Sequence, residues 1–178
     1  MLALAIVAAV VVGGVALANT GRTSTAAPLP APVPTAAPTT TAPPLPGPSG
    51  PRPATGDVIV DQGSSGRGSL TAENGGAQDA YVTVVDGQRV IRGVYVRAGG
   101  TATVDDVPDG TYALYFATGS GWNADIRGFT ADRRASRFDQ TLTFTTTRQQ
   151  YTTWTVSLTP VPGGNAQSSD VPPDSLPR

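Results

Sequence analysis

The residues best suited to bind a ligand lie close together: Trp122, Asn123, Asp125 and Arg127. An indole can stack on the face of a sugar ring while an amide, a carboxylate and a guanidinium hydrogen-bond its hydroxyls. Around them runs ATGSGWNADIRGFTADRRASR, polar and Gly-rich, which reads as one long irregular loop rather than core strand. Loops held on a rigid scaffold are common places for binding. The competing reading, favoured by the scarcity of other large side chains, folds Trp122 back as a plug at one end of the domain. Asp105, Asp106 and Asp109 form a carboxylate cluster that could make a Ca²⁺ loop or a general acid/base pair. Yet Asp109-Gly110 has a sufficient turn role and no spaced series of oxygen ligands follows, so a structural turn is expected. Arg127, Arg133, Arg134 and Arg137 form the basic cluster. It could meet anionic envelope polymers or phospholipid headgroups, but pairing with Asp125, Asp132 and Asp139 is the expectation.

What is missing narrows the chemistry further. The 178 residues include no cysteine and no histidine, and every one of the 12 basic residues is arginine. Disulfides, thiolate nucleophiles, lipid attachment at a cysteine, imidazole bases and lysine Schiff bases are therefore all excluded. With a single glutamate, a glycosidase would need two aspartates facing each other across a cleft, and no spacing points to such a pair. No catalytic residue, cofactor or metal site is assigned, and no enzymatic activity is expected. A net charge of −1 gives no footprint for nucleic acid. Arginine without lysine, beside abundant Ala, Gly, Pro and Val, is what GC-rich codons produce.

The elements that must position these residues are strands. In VYVRAGGTATVDDVPDGTYALYFA, residues 94–117, side chains alternate with period two, and Gly99-Gly100 and Pro108-Asp109-Gly110 punctuate the runs. This reads as a three-stranded antiparallel meander about which the domain is organised. Before it lie Val58-Ile59-Val60, a short strand at Leu70, and Ala80 to Val85 leading through Asp86-Gly87 into Val90 and Ile91, a hairpin signal. After it, Leu142 and Phe144 alternate with threonines, and Trp154, Val156 and Leu158 form a last strand ended by Pro160 and Pro162. Seven or eight short strands and no convincing helix predict an all-β fold, an antiparallel β-sandwich over 57–162. Tyr112, Leu114, Phe116, Phe144, Trp154 and Val156 are its predicted core.

The flanks are of another kind. Residues 1–18 are uninterruptedly apolar and, as a helix, would reach roughly 27 Å, barely a bilayer core. A cleaved signal ending at Ala16-Leu17-Ala18 and an uncleaved transmembrane anchor both fit. Arg22 lies on the wrong flank for export, which an arginine-rich segment upstream of Met1 would remedy. Residues 19–56, rich in Pro, Thr and Ala, predict a disordered stalk, because proline fixes φ and removes donors. Residues 163–178 predict a polar tail lying loosely on the surface.

The pattern Val107, Pro108, Gly110, Thr111 and Tyr112 resembles the strand–turn–strand signature of carboxypeptidase-regulatory-like, or transthyretin-like, β-sandwich domains. The longer VYVRAGGTATVDDVPDGTYALYFATGSGW, with Phe129, Ser136 to Asp139 and Gly163 to Ala166, is similar to membrane-anchored or secreted proteins of high-GC Gram-positive bacteria. These likenesses imply a sandwich outside the cytoplasmic membrane and bring no catalytic residues with them. The expected whole is a membrane-tethered, extracytoplasmic structural or interaction domain, with the membrane as one contact and an envelope polymer or another surface protein as the other. Its alternative is a carbohydrate- or envelope-polymer-binding module working through the Trp122 loop.

Overall fold

The computed structural model describes residues 46–159 and 167–178. The apolar run 1–18, the stalk as far as residue 45, Pro160, Pro162 and the Gly163–Ala166 stretch lie outside the described residues. Ten strands form among the described residues, in order β1 (Val58–Asp61), β2 (Gly68–Glu73), β3 (Asp79–Asp86), β4 (Arg89–Val96), β5 (Thr101–Val107), β6 (Gly110–Asn123), β7 (Gly128–Phe138), β8 (Leu142–Phe144), β9 (Thr153–Ser157) and β10 (Ser168–Asp170). One 3₁₀ turn follows at Pro173–Ser175, and among the described residues there is no α-helix. The all-β expectation holds. Two strands exceed the expected number, β7 inside the supposed loop and β10 inside the supposed tail.

The larger sheet has the order β1-β4-β3-β6-β7-β10, with β8 also on β6, and the smaller has β5-β2-β9. Pairing is antiparallel throughout except between β2 and β9, which run parallel. The expected hairpin after β3 forms, with Gly87 at φ +59° and Asp86 opposite Arg89. Residues 94–117 are not a meander. β4 pairs with β1 and β3, β5 pairs with β2, and β6 pairs with β3, β7 and β8. The chain leaves the larger sheet after Val96 and returns to it through Pro108-Asp109. Alternation itself holds from Thr101 to Asp105, with Ala102 and Val104 buried and Thr101, Thr103 and Asp105 exposed, and slips by one residue at Asp106, at φ +58°, before Val107 returns to the core. Period two fixes which face is dry and says nothing of which strand lies alongside.

One core joins the two sheets. Leu70, Val104, Val107 and Val156 come from the smaller sheet, and Val82, Val94, Leu114, Phe116 and Phe144 from the larger. Tyr112 belongs to it as predicted. Trp154 does not: it is 37% exposed. Its strand, β9, is an edge with β2 as sole neighbour, so the ring extends outward and its indole N–H donates to the Thr143 carbonyl at 3.1 Å.

The larger sheet also carries a second apolar layer on its other face. Tyr81, Tyr95, Ala117, Trp122 and Phe129 pack there, with Ile59 and Leu176 against them. β3 and β4 are accordingly buried along almost their whole length on both faces. The segment ahead of β1 belongs to the packed structure as well, from Gly47 rather than from Asp57. Ser49 bridges to Asn123, Gly56 N–H donates to Tyr95 O, and the Arg97 guanidinium donates to Pro53 O at 2.8 Å. Nor is the tail loose: β10 pairs with β7, and Arg133 holds Asp174 at 2.7 Å.

Candidate functional site

The supposed loop is a long hairpin, β6 into β7, and its irregular composition has local causes. Gly119 sits where a Cβ would lie 2.7 Å from Cβ of Phe129 and 2.8 Å from the Ala131 carbonyl, so no larger residue fits without a shift. Gly121 has φ +66°, a conformation glycine adopts without steric cost. The register slips between Thr118 and Ser120, and Asp132 takes φ +51° on the facing strand. These features hide the alternation from a reader of the sequence. They also bend the hairpin so that Trp122 and Phe129 return to the aromatic layer.

Trp122 is 5% exposed. Its ring meets Tyr81, Tyr95 and Phe129 at centroid distances of 5.3, 5.1 and 5.4 Å, all edge-on. That is the plug. An indole enclosed on three sides offers no face to a sugar. Asn123 is buried and organises the turn: its Oδ1 accepts from the N–H groups of Asp125 and Ile126, and its Nδ2 donates to Gly47 O. Asp125 accepts from the Ser49 hydroxyl at 2.8 Å. Arg127 closes the turn at φ +47° and faces a cleft. The four residues are adjacent as predicted, but three of them fasten the hairpin.

The aspartate cluster is likewise structural. Asp105 accepts from Ser69, Asp109 caps Thr146 through both its N–H and its hydroxyl, and the carbonyl of Asp106 accepts from Gly66 N–H and Arg92. Among the described residues no group of three or more Asp or Glu is placed to hold a metal ion. Arg92 is almost fully buried and donates to the carbonyls of Gln62, Ile91, Ser64 and Asp106, tying the loop before β2 to the bulged end of β5.

Asp79 forms the second polar centre. Arg52 grips it with two parallel bonds of 2.7 and 2.6 Å, Tyr95 O–H donates at 2.5 Å and Ala98 N–H at 3.0 Å. Burial alone would raise the Asp79 pKa, but these donors outweigh it and hold it at about 2. The same burial, with the Asp79 charge beside it, pushes the Tyr95 hydroxyl up. With two donors on each carboxylate oxygen, Asp79 fastens Arg52 and has no lone pair left for a substrate.

The basic cluster departs from its expected pairing. Asp125, Asp132 and Asp139 accept from Ser49, Ser120 and Ser169 rather than from arginine. Arg137 lies over the Tyr115 ring at 5.6 Å. Arg127, Arg133, Arg134 and Arg178 instead line one cleft over the aromatic layer, with Tyr81, Ala117 and Phe129 beneath and Ile126, Pro173 and Leu176 beside. Of these four, Arg133 is held by Asp174, whose pKa it lowers. The cleft lining contains no acidic residue. Desolvation pushes the Tyr81 hydroxyl up to about 12 although nearby Arg127 opposes it, so the phenol stays neutral beside the arginines. Sequence reasoning found Arg127, Arg133 and Arg134 but not Arg178 or the apolar floor, because a tail sixteen residues long after Pro162 carries no period to say where it docks. No family model, no curated protein and no solved structure matches the chain.

Proposed function

We propose that the chain is a binding domain displayed outside the cytoplasmic membrane, tethered by its apolar amino-terminal segment and without enzymatic activity of its own. Its two sheets are read as a β-sandwich, and its partner as an anionic component of the cell envelope. The observation that carries the reading is the cleft. A chain of net charge −1 gathers four of its 12 arginines around one apolar floor and places no acidic side chain in the lining. Such a segregation of charge favours anions locally, whatever the net charge of the whole. The Pro/Thr-rich stretch before residue 46 and the likeness to anchored or secreted proteins support the placement outside the membrane. Sugar stacking on Trp122 draws no support from a ring packed between Tyr81, Tyr95 and Phe129.

Localisation tests the first half of this reading. Protease added to intact cells of the native host should remove the domain while leaving an amino-terminal fragment in the membrane fraction. Recovery of the whole chain from the cytosol, untouched by protease, would overturn it. For the second half, the full chain should cosediment with isolated envelope, and Arg127→Gln with Arg134→Gln should weaken that attachment together with its salt dependence.

A further inference from the structure

We infer that the cleft takes a phosphomonoester whose ester group is apolar. The inference rests on the cleft being the binding face and adds what kind of anion it accepts. All thirteen side-chain carboxylates lie among the described residues, and the ion pairs they make use Arg52, Arg92 and Arg133. Arg127 and Arg134 therefore have no acidic partner within the chain. Arg133 shows which chemistry the wall accepts, since a carboxylate oxygen of Asp174 already sits on its guanidinium at 2.7 Å. A guanidinium presents a flat fork of donors suited to a pair of acceptor oxygens. Arg127, Arg134 and Arg178, which share the cleft with it, bring more donors than one carboxylate can satisfy. A terminal phosphate supplies three oxygens and close to two negative charges at neutral pH. The apolar wall decides the rest of the ligand. Tyr81, Ala117 and Phe129 are themselves buried, but Ile126, Pro173 and Leu176 are only partly covered and present carbon beside the arginines, so a bare, fully hydrated phosphate would leave that surface unused. A flat or acyl group attached through the ester oxygen would cover it.

Trp122 reports on this floor because its ring packs on Phe129. The experiment uses the full chain in detergent with Trp154→Phe, leaving Trp122 as the single indole, and follows its emission on titration. Phenyl phosphate should give a saturable change about tenfold tighter than inorganic phosphate. Arg127→Gln with Arg134→Gln should weaken phenyl phosphate about tenfold or more without moving the unfolding midpoint, both side chains being exposed or nearly so. Replacing both by lysine should restore part of the affinity. Short-chain dihexanoyl phosphatidic acid, kept below micelle concentration, identifies the source: tighter binding than phenyl phosphate marks a lipid headgroup, weaker binding a soluble ester, and either supports the assignment. No saturable change with either probe overturns it. So does equal affinity for phenylacetate or benzyl alcohol, or indifference to the double arginine variant. Failure of this kind, with the domain still cell-surface and attached to envelope, would remove the phosphate assignment and leave the displayed binding domain standing.

Discussion

Asp79 is the side chain on which the packing of the amino-terminal segment depends most. Its folded pKa, about 2, lies below the ordinary 3.8, so the unfolded chain takes up the proton first as pH falls. The stability it contributes is complete above about pH 4 and is lost as pH drops from there toward 2. Urea unfolding across that range should show the loss, and Asp79→Asn should flatten it while costing about 1.5–3 kcal/mol at neutral pH. The two tryptophans should separate as sharply. Trp122→Ala removes a buried ring with three aromatic neighbours and should cost about 3–5 kcal/mol, whereas Trp154→Phe should cost about 1 kcal/mol, the worth of its hydrogen bond. Equal effects in thermal or urea melts would contradict the two burials. Of these side chains, sequence alone favoured Trp122 as a plug and misplaced Trp154. Both are apolar residues of β-prone or aromatic surroundings, and which one is covered depends on whether its strand has two neighbours or one. Asp79 and Arg92 left no mark in the sequence, because a charged residue, whether at a strand end like Asp79 or mid-strand like Arg92, reads as solvent-facing until its partners, far away along the chain, are known.

Among the elements, the β6–β7 hairpin sets the floor of the cleft, and its shape rests on small residues. Gly119→Ala would press a methyl group against Phe129 and the Ala131 carbonyl. A cost of about 1–3 kcal/mol is expected in unfolding experiments, together with a shift in Trp122 emission as the floor moves. A neutral substitution with unchanged emission would show that the hairpin adapts. The strands visible in the sequence, β3 as a β-prone run before a hairpin signal and β4, β5 and the first half of β6 by period two, were legible because each has one face on the common core. The second half of β6 and β7 were not, since glycines, a register slip and a left-handed Asp132 interrupt the alternation there. Those interruptions give the stretch the composition of a loop, and they also aim Trp122 and Phe129 inward.

For the molecule as a whole, the all-β class follows from composition and spacing, while the partition of strands between sheets does not. The carboxy-terminal segment makes this plain: β10 and Leu176 close over the aromatic layer that β3, β4 and the hairpin leave exposed. Removing residues 167–178 should therefore uncover Phe129 and Tyr81, raise binding of a dye such as ANS, and abolish Trp122 responses to cleft ligands. Unchanged dye binding would mean that the segment is not seated there. The parallel pair β2–β9 bears on how the chain acquires this structure in the first place. β2 forms early in the sequence, yet one of its two neighbours is the ninth strand. Contacts so distant along the chain are slow to close and cannot form before both partners exist. A chain emerging amino terminus first, from a ribosome or through a translocation pore, thus carries β2 with one edge open until almost everything has passed. During that interval its row of free N–H and C=O groups is a template for any other strand nearby. The closing of the smaller sheet is timed by the ninth strand.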